Sequence, residues 1–107
     1  MGKLFVPCTP TLSEDALLFA VARSLDRWGT WTMRVDRATP VLACEGADGA
    51  FEVRCQRDPG GDGLHLSLEE RRGLLKRIFG ASSLARVALE VQAAATRVVG
   101  PGVRALT

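Results

Sequence analysis

Cys44 and Cys55 sit in the stretch LACEGADGAFEVRC on either side of a glycine-rich turn. Thiols placed this way could hold half of a metal site, close a disulfide loop or form a redox pair. Register separates these chemistries. If GADG is a four-residue hairpin loop, Glu45 pairs with Ala50, Cys44 lies opposite Phe51, Leu42 opposite Val53 and Pro40 opposite Cys55. Every member of that set except the Glu45–Ala50 pair is apolar on both strands, whereas a one-residue slip would mix the faces. Both thiols then fall on the buried face, about four residues apart along the strands, or ~13 Å at the usual rise. A disulfide needs Cα atoms within roughly 7 Å, so no bridge is expected. Zinc ligands come in Cys-x-x-Cys or His-x-x-x-His spacing, and neither spacing occurs here. The two cysteines are therefore expected to pack as small hydrophobes. Cys8 lies between Pro7 and Pro10, with no neighbouring base to activate it.

The single histidine, His65, is expected on the opposite, polar sheet face, which it shares with Glu45, Glu52 and Arg54. Acid–base chemistry needs a partner that orients the imidazole, and an ordinary exposed sheet face is the simpler account of these four residues. The serines at 13, 67, 82 and 83 all stand at expected helix starts, where capping explains them. The stretch DPGGDG, residues 58–63, lacks the carboxylate spacing of a calcium loop and the Lys-Ser/Thr ending of a phosphate loop. It is expected to be a turn. With one histidine and no nucleophile–base motif, the chain is expected not to be an enzyme, and no cofactor or metal is assigned to it.

Two features suggest partners. Arg71, Arg72, Lys76 and Arg77 cluster on an expected helix over 68–79, a surface that could meet anions, although Glu69 and Glu70 share its first turn. The segment SSLARVALEVQAAATRVVG is apolar over more than half of its helical circumference, which calls for contact on two sides. Trp28, Leu84, Val87, Val91 and Val98 are therefore the candidate interface residues. Trp31 is expected to pack between the first helix and the sheet.

The elements that must position these residues follow from their patterns. Ser13 caps a helix over SEDALLFAVARSLDRWG, with Glu14 and Asp15 in its first turn and Leu17, Leu18, Val21, Leu25 and Trp28 in one stripe. Gly29 is placed to end that helix with a left-handed residue. The pattern then switches to period two in TWTMRVD, VLACE, AFEVRCQ and LHLSL. Ser67 and Glu70 fit a capping box opening the helix from Leu68, and Ser82 or Ser83 caps the last helix, which runs to about Val99. Leu4 to Val6 reads as an edge strand inside an irregular segment 1–12, because Pro7 and Pro10 bar it from a central position. Residues 100–107 read as a flexible tail.

The expected fold is a single α+β domain over 1–107: an N-terminal helix, a three- to four-stranded antiparallel meander and two C-terminal helices, all packed on one face of the sheet. Its 107 residues, 47 % hydrophobic and 24 % charged, suit one globular domain. The net charge of +2 is small for a dedicated nucleic-acid binder. No run reaches the ~20 apolar residues of a membrane span, and the N-terminus lacks the apolar core of a secretory leader. With three cysteines, a cytoplasmic protein is expected. These features point to a small non-catalytic protein-interaction module, adaptor-, chaperone- or immunity-like in general character, acting as a homodimer or in a hetero-complex. The alternatives are a nucleic-acid-binding regulator using the basic helix and a small ligand-binding protein or enzyme with a site near His65.

Overall fold

The structure, a computed structural model, describes residues 3–27, 31–46, 49–72 and 82–106. In chain order its elements are β1 (Lys3–Pro7), α1 (Glu14–Asp26), β2 (Thr32–Asp36), β3 (Val41–Gly46), β4 (Gly49–Arg57), β5 (Gly63–Arg72), α2 (Ser82–Val99) and β6 (Arg104–Ala105). The strands form one antiparallel sheet in the order β2-β3-β4-β5-β1-β6. The fold is thus α+β, with two helices among the described residues.

Period-two patterning explains the sheet. Leu42, Cys44, Phe51, Val53, Cys55, Leu64, Leu66 and Leu68 are all buried on one face. The partners are those the hairpin register requires: Leu42 pairs with Val53, Cys44 with Phe51 and Glu45 with Ala50, and the Cys55 amide donates to the Pro40 carbonyl at 3.0 Å. α1 lies over β2, β3 and β4, while α2 packs against α1 and β1. Leu17, Leu18, Val21 and Leu25 from α1 and Val87, Val91, Ala94 and Ala95 from α2 close the core. Ser13 caps α1, its hydroxyl accepting from the Ala16 amide at 3.3 Å.

Three expectations are corrected. First, the meander β2–β5 is extended by two strands. β1 is not at the edge but lies between β5 and β6, with Leu4 opposite Leu66 and Val6 opposite Leu64. Proline is tolerated because β6 reaches only Leu4 and Phe5, so Pro7 stands at the strand end where no neighbour needs its missing N–H. Second, the tail is not free: Arg104 and Ala105 pair with β1, and the Leu106 amide donates to the Lys3 carbonyl at 2.9 Å. Third, no helix starts at Leu68, since β5 runs to Arg72. Ser67 and Glu70 are strand residues opposite Arg54 and Phe51, so they form no capping box. The alternation of Leu64, Leu66 and Leu68 continues the apolar face of β4, and extending the ladder buries Leu68 while pairing its backbone. A register shift between Ala50 and Phe51 accommodates the last residues of β5. Residues 73–80, which hold the rest of the expected helix with Lys76 and Arg77, lie outside the described residues, as do Trp28 and Gly29.

The cysteines give a direct check on this packing. All three are free, with Cys44 and Cys55 buried and Cys8 half-buried. Burial pushes the Cys44 and Cys55 thiols up to about 12, and a thiol is unreactive until it ionises. Under native conditions at pH 8, a disulfide-exchange reagent should modify Cys8 alone. Cys44 and Cys55 should react only when the chain unfolds in denaturant. Rapid modification of all three would contradict the placement of the two strand cysteines.

Candidate functional site

The helical layer carries an unusual seam. On α1, Ser24 falls on the same side as the buried stripe, at a position where an apolar residue would continue the core, and it is only 5 % exposed. Among the described residues it is the one buried polar side chain. A buried hydroxyl needs partners, and α2 supplies them. The Ser24 hydroxyl donates to Glu90 Oε2 and accepts from Arg97 Nη2 at 2.5 Å. Arg97 also reaches Glu90 Oε2 at 3.3 Å. Glu90 and Arg97 lie two turns apart on α2, so they bracket Ser24 along the seam.

The Ser24 hydroxyl, with Arg97 beside it, holds the Glu90 carboxyl below its ordinary value. The sign follows. A depressed carboxylate pKa adds stability at pH values above its ordinary 4.5, and that contribution is lost as pH falls through the lower folded value. Glu90→Gln should therefore cost about 1–2 kcal/mol at neutral pH. The gap between variant and wild type should narrow toward zero in acid, as read by urea unfolding at several pH values. A gap independent of pH would show that the carboxylate charge does not hold the seam.

Beside this triad opens a cleft of about 390 Å³ lined by Ala20, Arg23, Ser24, Arg27, Ala94, Arg97 and Val98. Arg23 lies in the last turn of α1 and Arg27 is its C-cap, four residues on, and both line the cleft with Arg97 of α2. Among the described residues neither Arg23 nor Arg27 enters an ion pair. Three guanidiniums thus border the cleft, Glu90 reaches it only through Ser24 and Arg97, and the small side chains of Ala20 and Ala94 keep it open. Val98 is 41 % exposed at its rim, and Leu89 is 67 % exposed on the same helix.

The residues singled out from sequence fall into separate places. Val87 and Val91 are buried in the domain's own core, so they are not free to hold a partner. The stripe of Val87, Val91, Ala94 and Ala95 is buried within the domain, while Leu89 and Val98 of the same helix stay exposed. The side chain of Leu84 lies outside the described ones, as does that of Arg72, which ends β5 opposite Ala50. Arg71 is on β5 rather than on a helix, and its guanidinium is paired with Glu52 at 2.9 Å and Glu69 at 3.8 Å. The expected anion-binding helix is therefore replaced, at Arg71, by an ion-paired strand.

The patch of Glu45, Glu52, Arg54 and His65 divides in two. Arg54 pairs with Glu52 at 3.1 Å, while His65 Nε2 lies 2.8 Å from Asp58 Oδ1 and stacks obliquely on Phe5, with ring centroids 5.2 Å apart. Arg104 covers the Phe5 ring at 5.3 Å. Asp58 Oδ2 accepts from the Gly60 amide at 3.0 Å, and Gly61 takes a positive φ of 79°. The hydrogen bond from His65 keeps the Asp58 carboxyl below its usual range. One carboxylate oxygen is thus spent inside the DPGGDG turn and the other on His65 of β5, and the pair clamps the β4–β5 hairpin.

Sequence reasoning missed the Asp58–His65 pair, the Ser24–Glu90–Arg97 triad and Arg57, whose Nη2 ties β4 to the Leu12 carbonyl at 2.7 Å and to Glu14 at 3.2 Å. Periodicity carried a signal for the triad, because Ser24 interrupts the apolar stripe between Val21 and Leu25. Among the described residues no group of three His, Cys, Asp or Glu side chains could hold a metal ion, and no helix is long and apolar enough to cross a membrane. No family model matches the chain, and the curated proteins contain no match to it.

Proposed function

We propose that the protein is a non-catalytic module that binds another polypeptide through the outer surface of its helical layer. The observation that carries this is the seam between α1 and α2, where a partly exposed valine, Val98, borders a cleft flanked by Arg23, Arg27 and Arg97. An apolar contact beside charges that can pair is the composition of a recognition surface. The partner is a different, acidic chain rather than a second copy. Val87 and Val91, the centre of the arc that suggested self-association, are used up inside the domain, and two copies meeting at this seam would bring like charges together. The non-catalytic assignment is supported by the role of His65 as a turn clamp. Binding of nucleic acid through Arg71 is disfavoured by its pairing with Glu52 and Glu69. Three free thiols suit a reducing, cytoplasmic setting.

Light scattering of the purified chain in low and high salt should give a single mass of 11.5 kDa. A stable species of twice that mass would overturn the hetero-partner assignment. The tagged chain, applied to a nuclease-treated native extract, should retain a partner that Leu89→Asp/Val98→Asp loses and Arg54→Ala keeps. Loss through Arg54→Ala alone would move recognition to the open sheet face.

A further inference from the structure

We infer that the cleft between α1 and α2 is the seat of an acidic side chain from that partner, with Arg23 and Arg27 as the carboxylate clamp. The inference rests on the proposal that the helical layer is the recognition surface, and it names the chemistry that surface selects. Arg23 and Arg27 stand at i and i+4, a spacing at which like charges disfavour the helix, and among the described residues no carboxylate pairs with either. An incoming carboxylate relieves that repulsion and gains charge-assisted hydrogen bonds, for which the planar guanidinium is suited. Arg97 is already held by Ser24 and Glu90, so little side-chain freedom is lost when an anion arrives beside it. The cleft of about 390 Å³ has room for a single acidic side chain.

The surroundings favour a carboxylate over a nucleic-acid backbone. Glu90 is paired with Arg97 at the α2 side, and Asp26, the last residue of α1, lies between Arg23 and Arg27 in sequence. Glu90 is also the internal competitor, since its Oε2 takes the Ser24 hydroxyl and Arg97. Removing its charge should therefore strengthen binding even as it weakens the seam. This opposite movement separates a ligand site from a merely structural cluster.

The test titrates the full chain with hexaglutamate and follows the arginine Nε–H signals by NMR. Separate titrations use a hexathymidine oligonucleotide and inorganic phosphate. Saturable shifts are expected at Arg23, Arg27 and Arg97, with Arg54 and Arg71 unmoved. Arg23→Gln/Arg27→Gln should weaken hexaglutamate about tenfold or more with the folded state retained, and Glu90→Gln should tighten it roughly three- to tenfold. Shifts spread evenly over all arginines, tighter binding of the oligonucleotide or of phosphate, or weaker binding by Glu90→Gln would each overturn the inference. If the cleft stays silent while Leu89→Asp/Val98→Asp still abolishes capture of the partner, the clamp is wrong and the recognition surface stands.

Discussion

Phe51→Ala should cost about 3–5 kcal/mol of folding stability, the range for deleting a buried phenylalanine. Phe51 is 1 % exposed at the centre of the inner sheet face, paired with Cys44 on β3. Its ring meets Trp31 edge-on, with centroids 5.1 Å apart and an interplanar angle of 85°, a geometry worth about 0.5–1.5 kcal/mol beyond area burial. The transfer term is then lost and a cavity penalty is added, because β3 and β5 are fixed by their ladders and cannot collapse into the gap. A small domain has only about 5–15 kcal/mol to lose, so urea unfolding should show a large fall in midpoint. Phe51→Leu, which keeps most of the volume, should cost under about 1.5 kcal/mol. A cost below 1 kcal/mol for the alanine variant would mean that the ring is not in the core.

Gly63→Ala should be far more damaging than the addition of one methyl group suggests. A Cβ there would stand 2.3 Å from the Val6 carbonyl oxygen, 3.0 Å from Pro7 Cα and 3.1 Å from Phe5 Cζ. The first two contacts are backbone, which cannot swing aside. The end of β1 would have to separate from β5, taking the Val6–Leu64 pair with it. We expect a loss of about 3 kcal/mol, the upper part of the overpacking range, together with faster hydrogen exchange in β1. Gly61→Ala provides the contrast. It has open space but a φ of +79°, so it should cost about 1–2 kcal/mol from backbone strain alone. Equal effects at the two positions would show that conformation, and not close approach, explains Gly63.

These two sites also show what the sequence made legible and what it did not. The register around Phe51 could be derived because a hairpin is local: the GADG loop and an apolar face with period two allow one consistent pairing. α1 was legible for the same reason, with its cap and stripe lying within one segment. The close approach at Gly63 joins β5 to β1 across most of the chain, and no local pattern announces it. β1 itself has only Leu4 and Val6 facing inward between a lysine and a proline, too short a run to show that it lies inside the sheet. The extension of β5 to Arg72 was hidden by competition. Ser67 and Glu70 satisfy a capping spacing, but the tertiary ladder to β4 outweighs that local preference. The binding cleft was half legible. Ser24 and Glu90 break apolar stripes on two different helices, yet only their meeting across the seam shows why. Val87 and Val91 misled because amphipathicity measures how much of a helix is buried, and not whether its own domain or a partner buries it.

The central claim is that the helical layer, and not the open sheet face, meets a polypeptide. The most direct test replaces Val98, at the rim of the cleft, or, in a separate protein, Arg54 with a photo-crosslinking amino acid and irradiates living cells that express the chain. We predict one discrete protein adduct from position 98 and none from position 54, with the adduct suppressed when Arg23→Gln/Arg27→Gln is added. An adduct from position 54 alone, or one that nuclease removes, would contradict the claim and place recognition on the sheet face or on nucleic acid.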